Sequence, residues 1–443
     1  MKKYIYSILS LAMLVSCNNF LDIKPDSKMA IIESKQDLWT LLDNELVFNS
    51  VSVLGEDLAD NYYVSDQTWN SSANQAVRNK YVWNSTENDD IGWSVLYSKV
   101  YNANVVLEGT ETIKREIPEN DYREIMGTAL FYRSLFFYEL LSVYAMPYKI
   151  GATDSYLGIP LRTTADINQN FQRSTVKESL DLILRDMEMA GNYLKESSGS
   201  ITRPSRLAVW SQMARIYLDI ADYDHAMEYA GKVLDLADEL LDYNLIDQDQ
   251  KVPFDHSNRE VLHLTYGYSS FLTQSRGIVD STLYKSYAVG DRRKGSFFTT
   301  GKGGTTIFKG SYTQGAGTHF TGTTTAEMYL VFIESAIKKN RLDLAQERLL
   351  FYLGHRYASG SAPSVDGNRE TLLKLVHAER RKELVFRNRR WNDVKRFNLE
   401  GEDILLRRSL NGKSFEIPAN SNRYAMLIPI EVIKLGGIIQ NDR

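Results

Sequence analysis

Two tryptophans, Trp69 and Trp83, lie among asparagine and serine residues rather than among apolar ones. Arg78, Tyr81 and Asn84 surround Trp83 and add a guanidinium group, a second ring and an amide. Sugars present CH faces and hydroxyl rims, so a sugar site pairs aromatic faces with hydrogen-bonding groups. The pattern therefore predicts a ligand-binding loop. An aromatic side chain in a loop can equally anchor that loop to its scaffold, and both interpretations stay open.

A second candidate region begins with Tyr266 and Tyr268 and continues into a stretch rich in glycine and threonine, which contains Phe297 and Tyr312. These four rings are the second choice for the ligand-binding surface. The apolar–polar alternation at 262–268 suits a β-strand equally well. Contact with a ligand therefore competes here with a structural role.

Catalytic and metal-binding motifs find little support. The six histidines are isolated, and they form neither a His-x-x-x-His pair nor a set with cysteine ligands of the kind that zinc requires. Residues 301–306 are glycine-rich, but Lys302 is not followed by serine or threonine, as a phosphate-binding loop requires. No Gly-x-Ser-x-Gly motif is present. We expect no catalytic residues, no metal and no cofactor.

Cys17 is the only cysteine of the chain and follows a short apolar run that begins after Lys2 and Lys3. This run is too short to span a bilayer, which takes about 20 apolar residues. The N-terminus has the form of a lipoprotein signal, with residues 1–16 as signal peptide, Cys17 as lipidation site and 17–35 as a lipidated tether. We expect attachment to a membrane through the lipid anchor only, and no disulfides.

The composition limits the possible partners. A formal net charge of −4 offers no electrostatic basis for binding nucleic acid, which depends on neutralising phosphates. The aromatic content is high, with 27 Tyr, 17 Phe and 6 Trp. Such side chains suit both interhelical packing and a stacking surface.

Helical repeats dominate the predicted organisation. Residues 203–240 place aromatic and small side chains at the spacing of a tetratricopeptide unit, with Trp210 and Tyr217 filling the groove beside Ala214. Similar helix pairs are predicted at about 93–145 and 326–352. Three such pairs are enough to bury a continuous core. The fold class is therefore mainly α, with a tetratricopeptide-like helical-repeat scaffold.

The remainder of the predicted single domain, residues 36–443, is less regular. Loop-rich insertions are expected at about 56–92 and 250–325, and a basic helix at 371–398. In that helix Glu379, Arg380 and Glu383 lie at distances where opposite charges pair on a helix surface. We therefore interpret the segment as a surface helix that caps the scaffold.

Several motifs together identify a family. They are Cys17-Asn-Asn-Phe-Leu-Asp22, Ala129-Leu-Phe-Tyr-Arg133, Arg203-Pro-Ser205, Glu379-Arg-Arg-Lys-Glu-Leu384, Arg390-Trp-Asn-Asp-Val-Lys-Arg396 and Leu427-Ile-Pro-Ile430 with Gln440-Asn441. In this order and over nearly the whole length, the sequence resembles the SusD/RagB family. It departs from the family where Tyr144-Ala-Met-Pro147 replaces the usual Tyr-Gly-Asp-Val-Pro, and the chain is short for a member.

The resemblance implies an outer-membrane lipoprotein of Bacteroidetes that faces the exterior. It also implies an irregular, loop-rich ligand-binding half packed on the helical scaffold. Such proteins capture nutrients, most often oligosaccharides, and cover a partner TonB-dependent transporter of the SusC type. The expected function is therefore non-catalytic capture and delivery of a glycan.

Three alternatives stay open at this point. Within the family, the ligand could be a peptide or glycopeptide, which would need fewer exposed aromatic side chains. From other classes, the chain could be a tetratricopeptide scaffold that binds only proteins, or a hydrolase.

Overall fold

The structure, a computed structural model, describes residues 32–148, 156–313, 315 and 317–443. The predicted signal peptide and the predicted lipidation site at Cys17 lie outside the described residues. In chain order the α-helices are α1 (Lys35–Leu42), α2 (Glu45–Phe48), α3 (Leu54–Asp57), α4 (Asp66–Ser71), α5 (Gln75–Tyr81), α6 (Trp93–Thr112), α7 (Glu119–Tyr144), α8 (Val176–Tyr193), α9 (Arg206–Asp219), α10 (Tyr223–Leu234), α11 (Ser281–Ser286), α12 (Arg293–Phe297), α13 (Thr325–Lys338), α14 (Leu342–Gly354), α15 (Arg369–Glu383), α16 (Arg390–Leu399) and α17 (Ile430–Gly436).

The strands are short and form only two-stranded antiparallel ladders in the described parts of the chain. The paired strands are β1 (Tyr62–Tyr63) with β6 (Ile278–Val279), β2 (Leu157–Pro160) with β3 (Arg173–Thr175), β4 (Val261–His263) with β10 (Thr323–Thr324), β5 (Tyr266–Gly267) with β9 (His319–Phe320), β7 (Phe298–Thr300) with β8 (Thr306–Phe308), and β11 (Leu406–Leu410) with β12 (Lys413–Ile417). The fold is mainly α, as the repeat spacing predicts.

The long helices form a continuous stack. α6 packs on α7 and α7 on α8, while α9 packs on α10, α10 on α13 and α13 on α14. α8 illustrates the local rules: a capping box joins Thr175 and Glu178 at its start, and its apolar stripe, including Ile183 and Met187, is buried. The buried side chains of this stack form the larger hydrophobic cluster, which we call the helical core.

The α9–α10 pair follows the tetratricopeptide pattern. Ala214 and Ala226 are fully buried and let the two helices approach closely. The turn between them contains Ala221 at φ 58°, and the Asp222 side chain caps α10 by accepting from the backbone N–H of His225. Trp210, predicted to fill the groove, is only half-buried.

A second cluster, which we call the loop core, consists mainly of aromatic side chains from residues 62–82, 243–320 and 385–386. The segment 56–92 that supplies some of them was predicted as loop, but it contains α4 and α5. Both helices begin at a side-chain cap, Ser65 and Asn74 respectively. The polar residues that suggested a loop are therefore helix caps and exposed helix faces.

The predicted single helix at 371–398 is wrong, because the chain breaks between α15 and α16. Phe386 and Asn388 in the break have φ values of 59° and 60°, which no α-helix accommodates. Phe386 enters the loop core, whereas Trp391 enters the helical core. The segment 379–396, which we call the signature segment, therefore joins the two clusters.

The charges of the signature segment form ion pairs with the rest of the fold, as expected, but the pairs are buried and do not lie on a helix surface. Arg293 Nη2 donates to Glu379 at 2.5 Å and to Asp291 at 2.8 Å, and all three side chains are fully enclosed. Arg356 donates to Glu383 at 2.9 Å and to Glu260 at 2.7 Å. Charges that lose water must be paired. Three of these four pairs join residues at least 27 positions apart in the chain.

Two further sets of pairs attach α16 to the helical stack. Arg389 lies 2.6 Å from the Asp219 carboxylate at the end of α9, and Arg396 pairs with Glu334 of α13. Lys395 Nζ donates to the backbone carbonyls of Ser142 and Ala145, both at 2.8 Å. These last carbonyls of α7 lack partners within their own helix, so Lys395 caps it.

Removing one charge of the buried network should lower the free energy of unfolding. Glu379→Gln leaves Arg293 and Lys382 short of a carboxylate, and breaking such a pair costs about 3–5 kcal/mol. The matched control is Glu370→Gln on the same helix, where the Lys374 pair is exposed and screened by water, so its loss should change stability little. Urea unfolding measures both; equal losses would contradict the assigned burial.

His377 should make stability depend on pH. Burial opposes its charge, but the carboxylates of Glu334 (3.1 Å) and Glu402 (3.0 Å) outweigh burial and raise its pKa. Its stabilisation is then complete below the unfolded pKa of about 6.5 and is lost as pH rises through the folded pKa. The gap in unfolding free energy between wild type and His377→Gln should shrink from pH 6 to pH 9. A gap that stays constant over this range would contradict the assigned ion pairs of His377.

Candidate functional site

Tyr81 and Trp83 lie inside the protein. The Tyr81 hydroxyl accepts from the backbone N–H of Val64 at 3.0 Å, and the Trp83 indole N–H donates to the Leu58 carbonyl at 2.8 Å. The Arg408 guanidinium lies 3.7 Å from the Tyr81 ring centroid and 4.7 Å from that of Trp83. Both rings anchor the segment, which is the structural alternative of the sequence interpretation, and neither offers a face to a ligand.

Phe297 and Tyr312 are buried in the loop core as well. The Tyr312 hydroxyl donates to Glu260 at 2.8 Å, and the Arg387 guanidinium lies 4.4 Å from its ring centroid. Phe297 packs against Phe254 with ring centroids 5.6 Å apart. These two side chains belong to the support of the surface and do not reach it.

Trp69, Arg78 and Asn84 remain accessible on the α4–α5 segment. Trp69 is half-buried against the loop core, and its indole Nε1 has no hydrogen-bond partner among the described residues. The Arg78 guanidinium lies 6.0 Å from the Trp69 ring centroid and also donates to the Ser72 carbonyl. An indole, a guanidinium and an exposed amide are therefore brought to one short segment.

Tyr266 and Tyr268 form a pair at the surface. Their ring centroids are 6.0 Å apart with an interplanar angle of 89°, and Tyr268 is 59% exposed. The backbone of Tyr266 holds the pair in place, because its N–H donates to the Asn49 carbonyl at 2.9 Å and its carbonyl accepts from Val51 at 2.7 Å. The alternation predicted at 262–268 thus gives a short strand and also presents the rings.

At Gly267, between the two tyrosines, β5 lies very close to the chain segment that contains Val51. A Cβ at this position would lie 2.4 Å from the Val51 carbonyl oxygen, which no side chain permits. Glycine therefore lets β5 lie against residues 49–51. The Tyr266–Tyr268 pair depends on this contact for its orientation.

A buried carboxylate ties the two accessible groups together. Asp57 accepts from Lys80 Nζ of α5 at 2.5 Å and from the Ser269 hydroxyl. The Ser269 Oγ in turn accepts from the backbone N–H of Leu272 at 2.8 Å. Sequence analysis missed these three residues, because nothing in their spacing marks a contact across more than 200 positions. We use the name tyrosine–tryptophan surface for the accessible parts of Trp69, Arg78, Asn84, Tyr266 and Tyr268, whose two segments are linked through Asp57.

The described parts of the chain contain neither a candidate metal site nor a candidate membrane-spanning helix. No group of three or more His, Cys, Asp or Glu side chains there could hold a metal ion. Among the same residues, no helix combines the length and the apolar character needed to cross a bilayer.

Two family models match the sequence. One, described as "Starch-binding associating with outer membrane", matches residues 19–218, and the other, described as "SusD family", matches residues 281–427. The second match contains the signature segment. The chain belongs to the SusD/RagB family, in agreement with the motifs of the sequence.

Solved structures share the fold. A SusD superfamily protein from Bacteroides thetaiotaomicron VPI-5482 is 20% identical with a TM-score of 0.78, covering 93% of this chain and 100% of that chain. A SusD superfamily protein from Bacteroides fragilis is 18% identical with a TM-score of 0.74, covering 92% of this chain and 98% of that chain. A SusD-like carbohydrate binding protein from Bacteroides vulgatus ATCC 8482 is 17% identical with a TM-score of 0.70, covering 91% of this chain and 96% of that chain. No curated protein matches the sequence.

Neutralising the buried carboxylate of Asp57 should make the loop that carries Tyr268 more flexible. Asp57→Asn leaves the Lys80 ammonium without its anion, so residues 266–272 should exchange backbone hydrogens roughly tenfold faster, equivalent to about 1.4 kcal/mol of local opening. Hydrogen–deuterium exchange with mass spectrometry measures this. The control is Asp343→Asn, an exposed acid on α14. Unchanged exchange at 266–272 would mean that Asp57 does not hold the loop.

Proposed function

We propose that the protein is a non-catalytic lipoprotein of the outer membrane that captures a glycan and delivers it to a partner TonB-dependent transporter. The observation that carries the proposal is the exposed Tyr266–Tyr268 pair, held by the backbone hydrogen bonds of Tyr266 and linked through Asp57 to a segment rich in polar groups. Aromatic faces stack on the CH faces of sugars, and Arg78 and Asn84 supply donors and acceptors for hydroxyl groups.

Two comparisons favour a carbohydrate over other ligands. The family model that covers residues 19–218 is described as starch-binding, and one solved structure with the same fold is described as a carbohydrate binding protein. A peptide would instead need a free strand edge or an apolar groove for its backbone and side chains.

The chemistry of the surface supports binding rather than catalysis. A general acid or base works best with a pKa near the working pH. Arginine and tyrosine titrate far above neutrality, and burial raises the pKa of Tyr266 further. Amides and indoles do not titrate at all. None of the five residues of the tyrosine–tryptophan surface is a histidine, aspartate or glutamate, the side chains that most often serve as general acid or base.

The N-terminal sequence supports the membrane attachment and the partner. Cys17 follows an apolar run of signal-peptide length, and the model matching 19–218 is described as associating with the outer membrane. More than one acyl chain on Cys17 would anchor the protein firmly. Residues 18–35 would then act as a tether that lets the protein open and close over a transporter without leaving it.

Removing the exposed ring should weaken glycan binding. Calorimetry against amylopectin, xylan, mannan, β-glucan and pectin identifies the tightest-binding polysaccharide, and Tyr268→Ala should bind it about tenfold more weakly, since a stacked ring contributes about 1.4 kcal/mol. The matched control is Phe351→Ala, a ring 46% exposed on α14, which should bind normally.

Each other outcome identifies a different error. If Tyr268→Ala and Trp69→Ala both keep full affinity, the surface is misplaced. If no polysaccharide binds and peptides do, the ligand class is wrong. If any polymer is shortened during incubation, the protein is an enzyme.

A further inference from the structure

A groove on the helical half combines sugar-binding groups that the tyrosine–tryptophan surface does not use. It lies between the first half of α6, the segment 160–171 and α17, and it encloses about 690 Å³. That volume falls within the range of about 300–1,000 Å³ that is typical of ligand sites. The groove shares no residue with the tyrosine–tryptophan surface.

The floor of the groove is aromatic because of helical spacing. Trp93, Tyr97 and Tyr101 are four residues apart along α6 and so lie on one face of the helix. Trp93 is buried beneath Tyr97, with ring centroids 4.8 Å apart. The Tyr97 hydroxyl donates to the Pro160 carbonyl at 2.7 Å, which fixes this ring. The Tyr101 hydroxyl has no hydrogen bond to any residue that the structure describes, and Tyr101 is half-exposed.

The opposite wall is polar. The Arg162 guanidinium lies 5.1 Å from the Phe171 ring centroid and donates to the Asp166 carbonyl at 3.2 Å, so its orientation is set before any ligand arrives. Asn168, Gln169 and Asn170 then present three consecutive exposed side chains with amide groups. Donors and acceptors thus face aromatic rings across one groove.

We infer that this groove is a second glycan-binding site, an inference that rests on the proposed function and extends it. The rings of Tyr101 and Phe171 would stack on sugar faces, and Arg162 with the amides would bind hydroxyl groups. A polysaccharide long enough to contact both surfaces would bind more tightly than either surface alone allows, because the second contact becomes intramolecular.

The polar wall distinguishes a glycan from an apolar protein segment. Ile167 and Leu435, which are 66% and 85% exposed, also line the groove and would suit a protein partner. An apolar segment laid across the groove would desolvate Arg162 and the amides without replacing their hydrogen bonds, which weakens binding. A ligand rich in hydroxyl groups avoids this loss.

The test uses the full chain and the tightest-binding polysaccharide of the panel named above. Hydrogen–deuterium exchange should show protection of residues 160–171 and 430–438 when the polymer is added to wild type or to Tyr268→Ala at saturating concentration. Tyr101→Ala should lose that protection and bind the polymer about tenfold more weakly, while Phe351→Ala should match wild type. Thermal unfolding of each variant shows that it is folded.

The outcomes separate the two proposals. If the polymer binds but protection is confined to the loop-rich half, or if Tyr101→Ala binds and protects as wild type does, the groove is not a glycan site and the proposed function stands. If no polysaccharide binds to wild type, both proposals are overturned.

Discussion

The fold depends on charges that are paired away from water. Arg293 and Arg356 lie between the two hydrophobic clusters, and the carboxylates of Glu379, Glu383 and Glu260 surround them. Such pairs are not strongly stabilising by themselves, since desolvation offsets most of their attraction. Removing one partner is costly, however, because it leaves a bare charge in the interior. A shifted docking of the helical core on the loop core would separate these charges from their partners.

This docking gives the accessible rings a rigid base. The loop core is made of short ladders, and a single two-stranded ladder has little stability in water. Here the ladders are supported by buried aromatic side chains and by arginines that lie against the rings, such as Arg387 at Tyr312 and Arg408 at Tyr81. Preorganisation of this kind lowers the entropy that a site loses when it binds a ligand.

The sequence predicted what local spacing determines. Small residues such as Ala214 and Ala226 revealed the helix pairs because their effect operates within one pair of helices. Contacts between residues far apart in the chain could not be predicted from local spacing. The charges at 379–396 matched the pattern of a helix surface, but some of their partners are as distant in sequence as Asp60. Trp83 looked accessible among polar neighbours, but Arg408 covers it from more than 300 positions away. The exposure of Tyr268 could not be predicted either, because the alternation at 262–268 suited a buried strand equally well and β5 ends at Gly267.

The separation between buried charges and exposed rings has a consequence for protein engineering. Substitutions at exposed positions away from special features usually change stability by less than about 0.5 kcal/mol. Tyr268, Asn84 and Tyr101 carry no charge of the interior network, so they could be randomised in a library without disturbing the docking of the two clusters. The tyrosine–tryptophan surface and the groove along α6 could therefore both be varied while the buried network stays unchanged. New ligand preferences could then be selected on each surface independently.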